Sequence, residues 1–321
     1  MAITSSSNAS FIEASQYSSF ILQNLHDGLL PSSFYRNVTD FGNGSTLNIK
    51  TIGSAVIQEI TEDEDITYNP IESGVVQLSI ADYIGDAFYL TDVMRQDGAQ
   101  VEQLLAMRAA EGTRAIQETF ESRFLATLNA GQTAGNPNSV NGFSHRFRAS
   151  GGNEQMLEAD LIDMRLAFDK ANVPMAGRIA IVDPVVAATF AKTVQLTANM
   201  DASSPLFQSL VKDGFDKEHQ FVTSLHGWQI WTSNRLPRVA AGTDIDGTDS
   251  ITGEGVANIF MCVADDQCKP GMVAWRQTPS TETDRDISKG RDEFATKARW
   301  GEGVQRVDTL GVIVSDAEAT A

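Results

Sequence analysis

One long helical pattern constrains the fold of this 321-residue chain more than any other feature. Between Gly98 and Gly131, apolar side chains recur at three- and four-residue spacing, which is typical of one buried face of an α-helix. The apolar positions are Val101, Leu104, Leu105, Gly112, Ile116, Phe120, Phe124 and Leu128. At 1.5 Å per residue a helix over residues 99–130 is a rod of roughly 45–50 Å, and Gly131 suits its C-terminal cap. Whatever the chain folds into must be built along this rod.

A long two-stranded arm is predicted just before this helix. Residues 45–90 are rich in β-branched side chains, and Val76, Leu78 and Ile80 alternate with polar residues. The stretch over residues 59–74, here called the acidic tip, carries Glu62, Asp63, Glu64 and Asp65. A two-stranded arm alone is barely stable in water, so we expect it to lie on another surface.

The remaining pattern mixes helices and strands, which predicts an α+β fold. A Ser-rich stretch over residues 1–15 precedes an amphipathic helix over 15–31, which carries Tyr17, Phe20, Ile21, Leu25 and Leu29 on one stripe and ends at Pro31. The Gly/Asn/Ser-rich loop 131–153 marks a domain transition. A second amphipathic helix follows on Leu157, Leu161, Met164 and Phe168, and Asp183-Pro184 begins a third. Strands are predicted before Asp183 in "GRIAIVD", at two places in "FVTSLHGWQIWTSNRLP", and at "NIFMCVA", "MVAWRQ", "DEFATKARW" and "DTLGVIV".

Composition excludes several functions. With 24 basic against 42 acidic residues the net charge is −18, which opposes direct binding to DNA or to anionic lipid. The start of the chain lacks a secretory leader, and the longest apolar runs are far shorter than the ~20 residues that span a membrane. Cys262 and Cys268 have no histidine nearby in the sequence, so a zinc site is not expected. We expect both cysteines to be reduced thiols.

The order of these elements resembles the major capsid protein of tailed double-stranded-DNA bacteriophages, which has the Hong-Kong-97-type capsid fold. Three local stretches support the resemblance. "GWQIWTSNRLP" (227–237) and "RIAIVDPVVAATF" (178–190) are similar to segments of the family's apical domain. "TKARWGEGVQRVDTLGVIVSD" (296–316) resembles the family's closing strands in the peripheral domain. The resemblance covers residues 15–316.

The resemblance implies a division of the chain. Residues 1–31 would be the N-terminal arm and helix, 32–98 the extended β-loop region, and 99–153 the peripheral domain with its spine helix. Residues 154–285 would be the apical α/β domain, and 286–321 would return to the peripheral domain and a C-terminal tail. Residues 51–91 contain no lysine, so the cross-link that one family member forms from a lysine on this loop is not expected.

The resemblance also implies a function. The chain would be a non-enzymatic subunit that assembles in the host bacterial cytoplasm and resides in the virion, with no cofactor, metal or membrane. It would form hexamers and pentamers of an icosahedral shell that encloses double-stranded DNA without reading its sequence. A scaffolding protein made as a separate chain is implied, because no scaffolding domain fits ahead of the first helix. A portal protein at one vertex and, as an option, a decoration protein complete the partners.

Two other functions stay open at this point. An encapsulin-type cellular compartment shares the fold. A phosphatase of the haloacid-dehalogenase type is suggested by Asp63-x-Asp65-x-Thr67, with Asp265-Asp266 as its second acidic motif. That nucleophile requires a buried apolar strand before it, however, and "AVIQEITE" is half polar. The acidic surroundings of Asp63 also oppose an attacking carboxylate, so we interpret the motif as a solvated or partner-binding loop.

Other motifs have simpler interpretations. Ser209-x-x-Lys212 lacks the companion motifs of penicillin-binding enzymes. The group Asp244, Asp246, Asp249 and Glu254 suggests calcium, but its glycine is misplaced for an EF-hand loop, and we expect an acidic surface loop. Asp183 is predicted to be a helix N-cap rather than part of a nucleotide site.

The acidic tip needs a basic surface on a neighbouring subunit. Two stretches qualify, the segment "SHRFR" and the basic strand near its end. We therefore predict an intersubunit interface formed by these residues: Glu62, Asp63, Glu64, Asp65, Arg146, Arg148, Lys297 and Arg299.

Overall fold

A computed structural model describes residues 28–38, 44–53, 57–60, 62, 65, 68, 70, 71, 73–98, 101–190 and 221–318. Several sequence predictions lie outside these residues. They are the amphipathic helix as far as residue 27, Asp63, Glu64 and Thr67 of the acidic tip, and the Ser209-x-x-Lys212 motif.

The described elements confirm a mixed α/β architecture. The helices are α1 (Asp92–Asp97), α2 (Val101–Ala130) and α3 (Glu158–Lys170), and residues 184–190 are also helical. The strands are β1 (Arg36–Asn37), β2 (Thr46–Ile52), β3 (Ser73–Ser79), β4 (Asp82–Thr91), β5 (Ser139–Val140), β6 (Phe143–Ser144), β7 (Arg146–Arg148), β8 (Arg178–Val182), β9 (Phe221–Leu225), β10 (Trp228–Thr232), β11 (Arg238–Val239), β12 (Gly255–Cys262), β13 (Gly271–Asp286), β14 (Arg291–Val304) and β15 (Leu310–Asp316).

Helix α2 confirms the predicted helix almost to the residue, but its buried face begins only at Gly112, and the predicted apolar position Leu104 is 46% exposed. Its buried stripe of Ile116, Phe120, Phe124 and Leu128 joins one hydrophobic cluster. The helix ends where Gly131 donates its backbone N–H to the carbonyl of Thr127, as a C-terminal cap does. The irregular residues 28–31, in contrast, show that the predicted first helix does not reach Leu29.

A four-stranded sheet, in the order β1-β13-β14-β4, lies against α2. Strands β13 and β14 form a long antiparallel hairpin, and β4 pairs with β14 from Thr91 opposite Arg291 to Asp82 opposite Trp300. The sheet supplies carboxylates to the arginines of α2. Arg123 pairs with Asp82, and Arg108 pairs with Asp86 at 2.9 Å.

A seven-stranded sheet forms the second layer, in the order β7-β15-β12-β8-β10-β9, with β11 paired to β12. Strands β8 and β12 are buried along their whole length, which fits helices packed on both faces. On one face Phe260 and Ala180 pack with Met164 and Phe168 of α3. On the other, Ile179 and Ile259 share a cluster with α2. Helix α2 therefore lies between the two sheets.

The predicted arm is shorter than residues 45–90. Strands β2 and β3 pair antiparallel from Thr46 opposite Ser79 to Ile52 opposite Ser73, and we call residues 46–79 the hairpin arm. Residues 82–91 continue the same alternating pattern but pair with β14 instead. Alternation of apolar and polar residues identifies a strand but does not show which strand it pairs with. The predicted arm was too long for this reason.

The strands after residue 270 are divided between the two sheets. Strand β13 starts at Gly271 in the four-stranded sheet, so that sheet begins before residue 286. The last strand, β15, lies in the seven-stranded sheet between β7 and β12 rather than beside β14. Its side chains from Leu310 to Ser315 are all buried, and only a central position in a covered sheet can bury both faces of a strand.

Candidate assembly surfaces

The base of the hairpin arm is fixed to the body. Leu78 of β3 is fully buried and packs with Met272 and Ala274 of β13. The backbone of the arm also lies directly on Gly301 of β14, where a Cβ would come within 2.8 Å of the Cα of Ile80 and still closer to the carbonyl oxygen of Ser79. The arm is thus anchored at one end by an apolar contact and a close backbone contact.

Beyond this base the hairpin arm exposes apolar side chains that nothing in the described chain covers. Ile57 is 96% exposed and Tyr68 is 89% exposed. Three further isoleucines of the arm are exposed, namely Ile52, Ile60 and Ile71. Glu62 and Asp65 are exposed beside them. The arm therefore combines exposed apolar side chains with acidic ones, and an exposed apolar surface of this kind is typical of a protein–protein contact.

Arg146 is not a surface cation, which corrects its predicted role as a receptor for the tip. Its side chain is buried, and its Nε and Nη1 donate to the carbonyl of Ile245 at 2.8 Å and to Oδ1 of Asn129 at 2.9 Å. Burial lowers the pKa of this guanidinium. The arginine is satisfied by internal acceptors, so its role is to join α2 to the loop before β12.

Arg148 is half-buried and already paired. It contacts the carboxylates of Glu154 at 3.3 Å and Asp249 at 3.4 Å, and donates to the carbonyl of Ser250 at 3.1 Å. Glu154 in turn accepts from the backbone N–H and the hydroxyl of Thr252. Arg148 thereby holds the acidic loop after β11 in place.

Lys297 and Arg299 lie on the face of the four-stranded sheet that α2 leaves open. Their neighbours Ala298 and Trp300 are buried against α2, and side chains alternate between the two faces of a strand. Lys297 pairs with Glu282 at 3.0 Å, and this bond raises the pKa of the lysine. Arg299 is exposed, and no carboxylate within the described ranges forms an ion pair with it. It stands directly opposite Tyr83 of β4.

The exposed tyrosines of β4 were missed by the sequence reasoning. Tyr83 and Tyr89 are both exposed on this open face, and the guanidinium of Arg291 lies 4.6 Å from the ring of Tyr89. The alternation in "DYIGDAFY" could have identified them, because it places both tyrosines on the face opposite the apolar Ile84 and Phe88. The open face therefore combines aromatic rings with charges of both signs, because Glu293 and Glu282 lie on it paired with Arg291 and Lys297.

A second missed feature is a buried carboxylate in the middle of α2. Glu121 accepts hydrogen bonds from the backbone N–H of Leu30 at 3.1 Å and from the hydroxyl of Ser233 at 3.0 Å. Arg235 contacts it at 3.4 Å and also donates to the carbonyl of Gly28 at 3.2 Å. Glu121 thus connects the spine helix, the segment after β10 and the first described residues.

The remaining motifs have structural roles. Asp183 accepts from the backbone N–H of Val185 at 3.0 Å, which confirms it as an N-cap. Asp246 lies in a turn and accepts from the backbone of Thr248 and Asp249. In the described part of the chain, no group of three or more His, Cys, Asp or Glu residues could hold a metal ion. Both cysteines are free thiols, with Cys262 buried.

The surroundings of the phosphatase-like motif do not match that enzyme. Residues 57–60 are exposed and form no strand, so they are not the buried strand that the nucleophile requires. Among the described residues, none of the helices combines the length and the hydrophobicity needed to cross a bilayer.

An anchored arm with uncovered apolar side chains and an open sheet face with exposed tyrosines are features of a subunit that other chains complete. The chain belongs to the phage capsid protein family, whose model, described as phage capsid protein, matches residues 74–315. It is accordingly a major capsid protein, a structural protein that self-assembles into the shell of the virion. The encapsulin and phosphatase alternatives are not favoured.

Solved structures show the same fold. A chain of the bacteriophage PhiM1 mature capsid superimposes with a TM-score of 0.70 at 12% identity, over 96% of this chain and 93% of that chain. The capsid of cyanophage P-SCSP1u gives 0.67 at 16% identity, over 96% and 94%. Mycobacterium phage Che8 gives 0.64 at 16% identity, over 94% and 97%. Comparison with curated protein sequences gives no match.

Proposed function

We propose that this chain is the repeating unit of a Hong-Kong-97-type icosahedral shell, arranged in hexamers and pentamers around double-stranded DNA, and that it has no catalytic activity. The observation that carries the proposal is the hairpin arm. Its outer half presents Ile57, Ile60, Tyr68 and Ile71 to solvent while its base is buried. In an isolated subunit this apolar surface would be exposed to solvent, whereas overlapping subunits can bury it.

We place the receptor for the arm on the open face of the four-stranded sheet of a neighbouring subunit. Arg299 is exposed beside the ring of Tyr83, and the acidic tip offers carboxylates next to Tyr68. A cation flanked by an aromatic ring complements a carboxylate flanked by an aromatic ring in both charge and polarity. Of the four predicted basic residues, Arg299 is therefore the principal receptor. Lys297 and Arg148 would have to exchange an internal partner for the tip.

The acidity of the chain suits a shell that is filled by force. With a net charge of −18 the wall does not attract DNA, so the duplex can slide along it during packing and release. Filling of this kind requires a portal at one vertex. Assembly in the host cytoplasm would use a scaffolding protein encoded separately, and a decoration protein is an optional outer partner.

Electron microscopy of negatively stained preparations tests the proposal. The purified chain is examined with and without the co-expressed scaffolding protein, and closed hollow particles are expected. A variant in which residues 53–72 are replaced by Asn-Gly, a two-residue turn that suits a hairpin, should fold but form no shells. Glu254→Gln, a change at an exposed residue outside the arm, is the matched control. Normal shells from the truncated variant, or only small oligomers from the native chain, would refute the proposal.

A further inference from the structure

Two free thiols meet where the chain crosses from one sheet to the other. Cys262 is the last residue of β12 in the seven-stranded sheet, and residues 263–270 lead from it to β13 in the four-stranded sheet. Cys268 lies in this connection and packs against the hydrophobic cluster that contains Cys262. The two thiols are side-chain hydrogen-bond partners. The fold therefore holds together two cysteines that are six positions apart in the sequence.

The backbone on both sides of this pair is fixed. Val263 donates its N–H to the carbonyl of Gly177 at 2.8 Å, which holds the end of β12 in place. Cys268 donates its N–H to the carbonyl of Asp265 at 2.9 Å, in a turn that brings the chain back toward Cys262. An S–S bond is about 2.05 Å long, so two cysteines can form one without unfolding only where the backbone already holds them close. The turn supplies this arrangement.

The two thiols differ in exposure. Cys262 is fully buried, and its Sγ lies 3.6 Å from the carbonyl oxygen of Ala176. Burial raises the pKa of the Cys262 thiol, so this group is a poor nucleophile at neutral pH. Cys268 is half-buried among the residues that the structure describes, so a reagent in solvent reaches it first. An accessible thiol next to a second one is the arrangement in which the first reacts with an oxidant and the second resolves the product.

We propose that Cys262 and Cys268 form a dithiol site, which a low-molecular-weight disulfide such as oxidised glutathione converts to a disulfide within one subunit. The thiolate of Cys268 attacks one sulfur of the oxidant and releases one thiol. Cys262 then loses its proton, attacks the Cys268 sulfur and displaces the second thiol. Two protons and two electrons thus pass from the two cysteines to the oxidant, which becomes two thiols.

The compartment determines the state of this site. It stays reduced in a bacterial cytoplasm and closes after release into oxidising surroundings. The bond would tie the end of β12 to the turn that precedes β13, and so constrain the crossover between the two sheets. The chemistry takes place within a single subunit, so it does not depend on the proposed shell.

Equilibration of the unassembled full-length chain with mixtures of reduced and oxidised glutathione tests this inference. Samples are quenched with acid, free thiols are alkylated, and masses are measured before and after cleavage at Asp265 and Asp266, which lie between the cysteines. We expect a product lighter by two hydrogen atoms, whose two fragments remain joined until a reductant is added. The glutathione ratio at half-oxidation gives the effective concentration of the two thiols. It should be roughly tenfold or more higher in the folded chain than in guanidinium chloride, because the fold already holds the thiols together.

Two matched variants test the order of reaction. Cys262→Ala should accumulate glutathione on Cys268, whereas Cys268→Ala should take up several-fold less, because its remaining thiol is buried. Equal uptake by the two variants would overturn the assignment of Cys268 as the thiol that reacts first.

The native chain alone decides whether the site exists, even if a variant folds poorly. Two free thiols that persist in the oxidising mixtures would overturn the inference. A glutathione adduct on Cys268 that does not proceed to a disulfide, or a disulfide that joins two subunits, would overturn it as well. An effective concentration no higher in the folded chain than in the unfolded one would contradict the proposed role of the fold.

Discussion

The Cα of Gly301 in β14 lies directly beneath the carbonyl group of Ser79, the last residue of β3. Any larger residue at position 301 would insert its Cβ between the hairpin arm and the four-stranded sheet. The direction in which the arm leaves the body therefore depends on glycine at position 301, which has no Cβ.

Gly301→Ala is expected to displace the base of the arm. Overpacking of this kind costs about 1–3 kcal/mol, and a tilted arm should also lower the yield of closed shells. Denaturant unfolding and particle counts by electron microscopy measure the two effects. Gly135→Ala is the control, because no atom lies within 4 Å of a Cβ built at Gly135. Equal stability and shell yield for the two variants would show that the close contact is unimportant.

Arg235→Met is expected to destabilise the subunit by about 3–5 kcal/mol, because it leaves the carboxylate of Glu121 buried without its cation. Arg238→Met removes an arginine of the same segment whose ion pair with Glu254 is exposed, and should cost less than about 1 kcal/mol. Chemical unfolding in guanidinium chloride gives both values. In a Glu121→Gln background the loss from Arg235→Met should shrink, and additive losses would argue against coupling between the two residues.

The carboxyl group of Glu302 makes stability depend on pH. Burial raises its pKa above the ordinary value of 4.5, although Trp300 and Thr127 donate hydrogen bonds to it at 3.1 Å each. The folded state thus binds the proton more tightly than the unfolded state, and this group's contribution to stability falls as pH rises from 4.5 through the raised pKa.

Glu302→Gln should therefore be more stable than the native chain at neutral pH, with the advantage shrinking as pH falls toward 4. Unfolding midpoints measured between pH 4 and pH 8 test this. Gln103→Ala, a change on the exposed side of α2 that removes no ionisable group, should leave the pH profile unchanged. If the native chain instead gained stability relative to Glu302→Gln as the pH rises over this range, the assignment to Glu302 would be wrong.

Charge reversal tests the proposed contact between subunits. Asp63→Lys with Glu64→Lys should block or weaken shell assembly, and Arg299→Glu should do the same, since each places like charges together at the contact. Combining all three substitutions restores opposite charges and should recover closed particles. Sedimentation of assembled shells at low and high salt gives the readout, and the defects should be larger at low salt. Normal shells from either charge-reversed variant would remove Arg299 as the receptor.

The long helix and most strands could be predicted because their signal is local. The apolar stripe of α2 depends only on residues three or four apart, and Asp183 caps a helix that begins at the next residue. Strand partners are not local. The pattern over residues 82–91 identifies a strand, but its pairing with β14 joins residues about 200 positions apart. Only "MVAWRQ" of strand β13 is predicted. The strand continues through Pro279, which is tolerated next to a register shift on an open stretch of edge.

The charged residues show the same limit. "SHRFR" contains two arginines at alternate positions, and the sequence suggests a solvated basic patch. Arg146 is nevertheless buried, because the carbonyl of Ile245 and the amide of Asn129 satisfy it from distant parts of the chain. Arg299 kept its predicted exposure because the adjoining Ala298 and Trp300 take the buried face of β14. Whether a charged side chain points inward depends on acceptors that only the folded chain brings together.

The position of α2 between the two sheets has a mechanical consequence. One hydrophobic cluster includes Phe120 of α2, Trp300 of the four-stranded sheet and Ile259 of the seven-stranded sheet, and Glu121 adds polar bonds at the same level. A load applied to either sheet is therefore transmitted through the helix to the other with no soft joint between them. In the proposed shell we expect such a subunit to behave as a stiff plate under internal pressure, with the compliance of the wall in the hairpin arms.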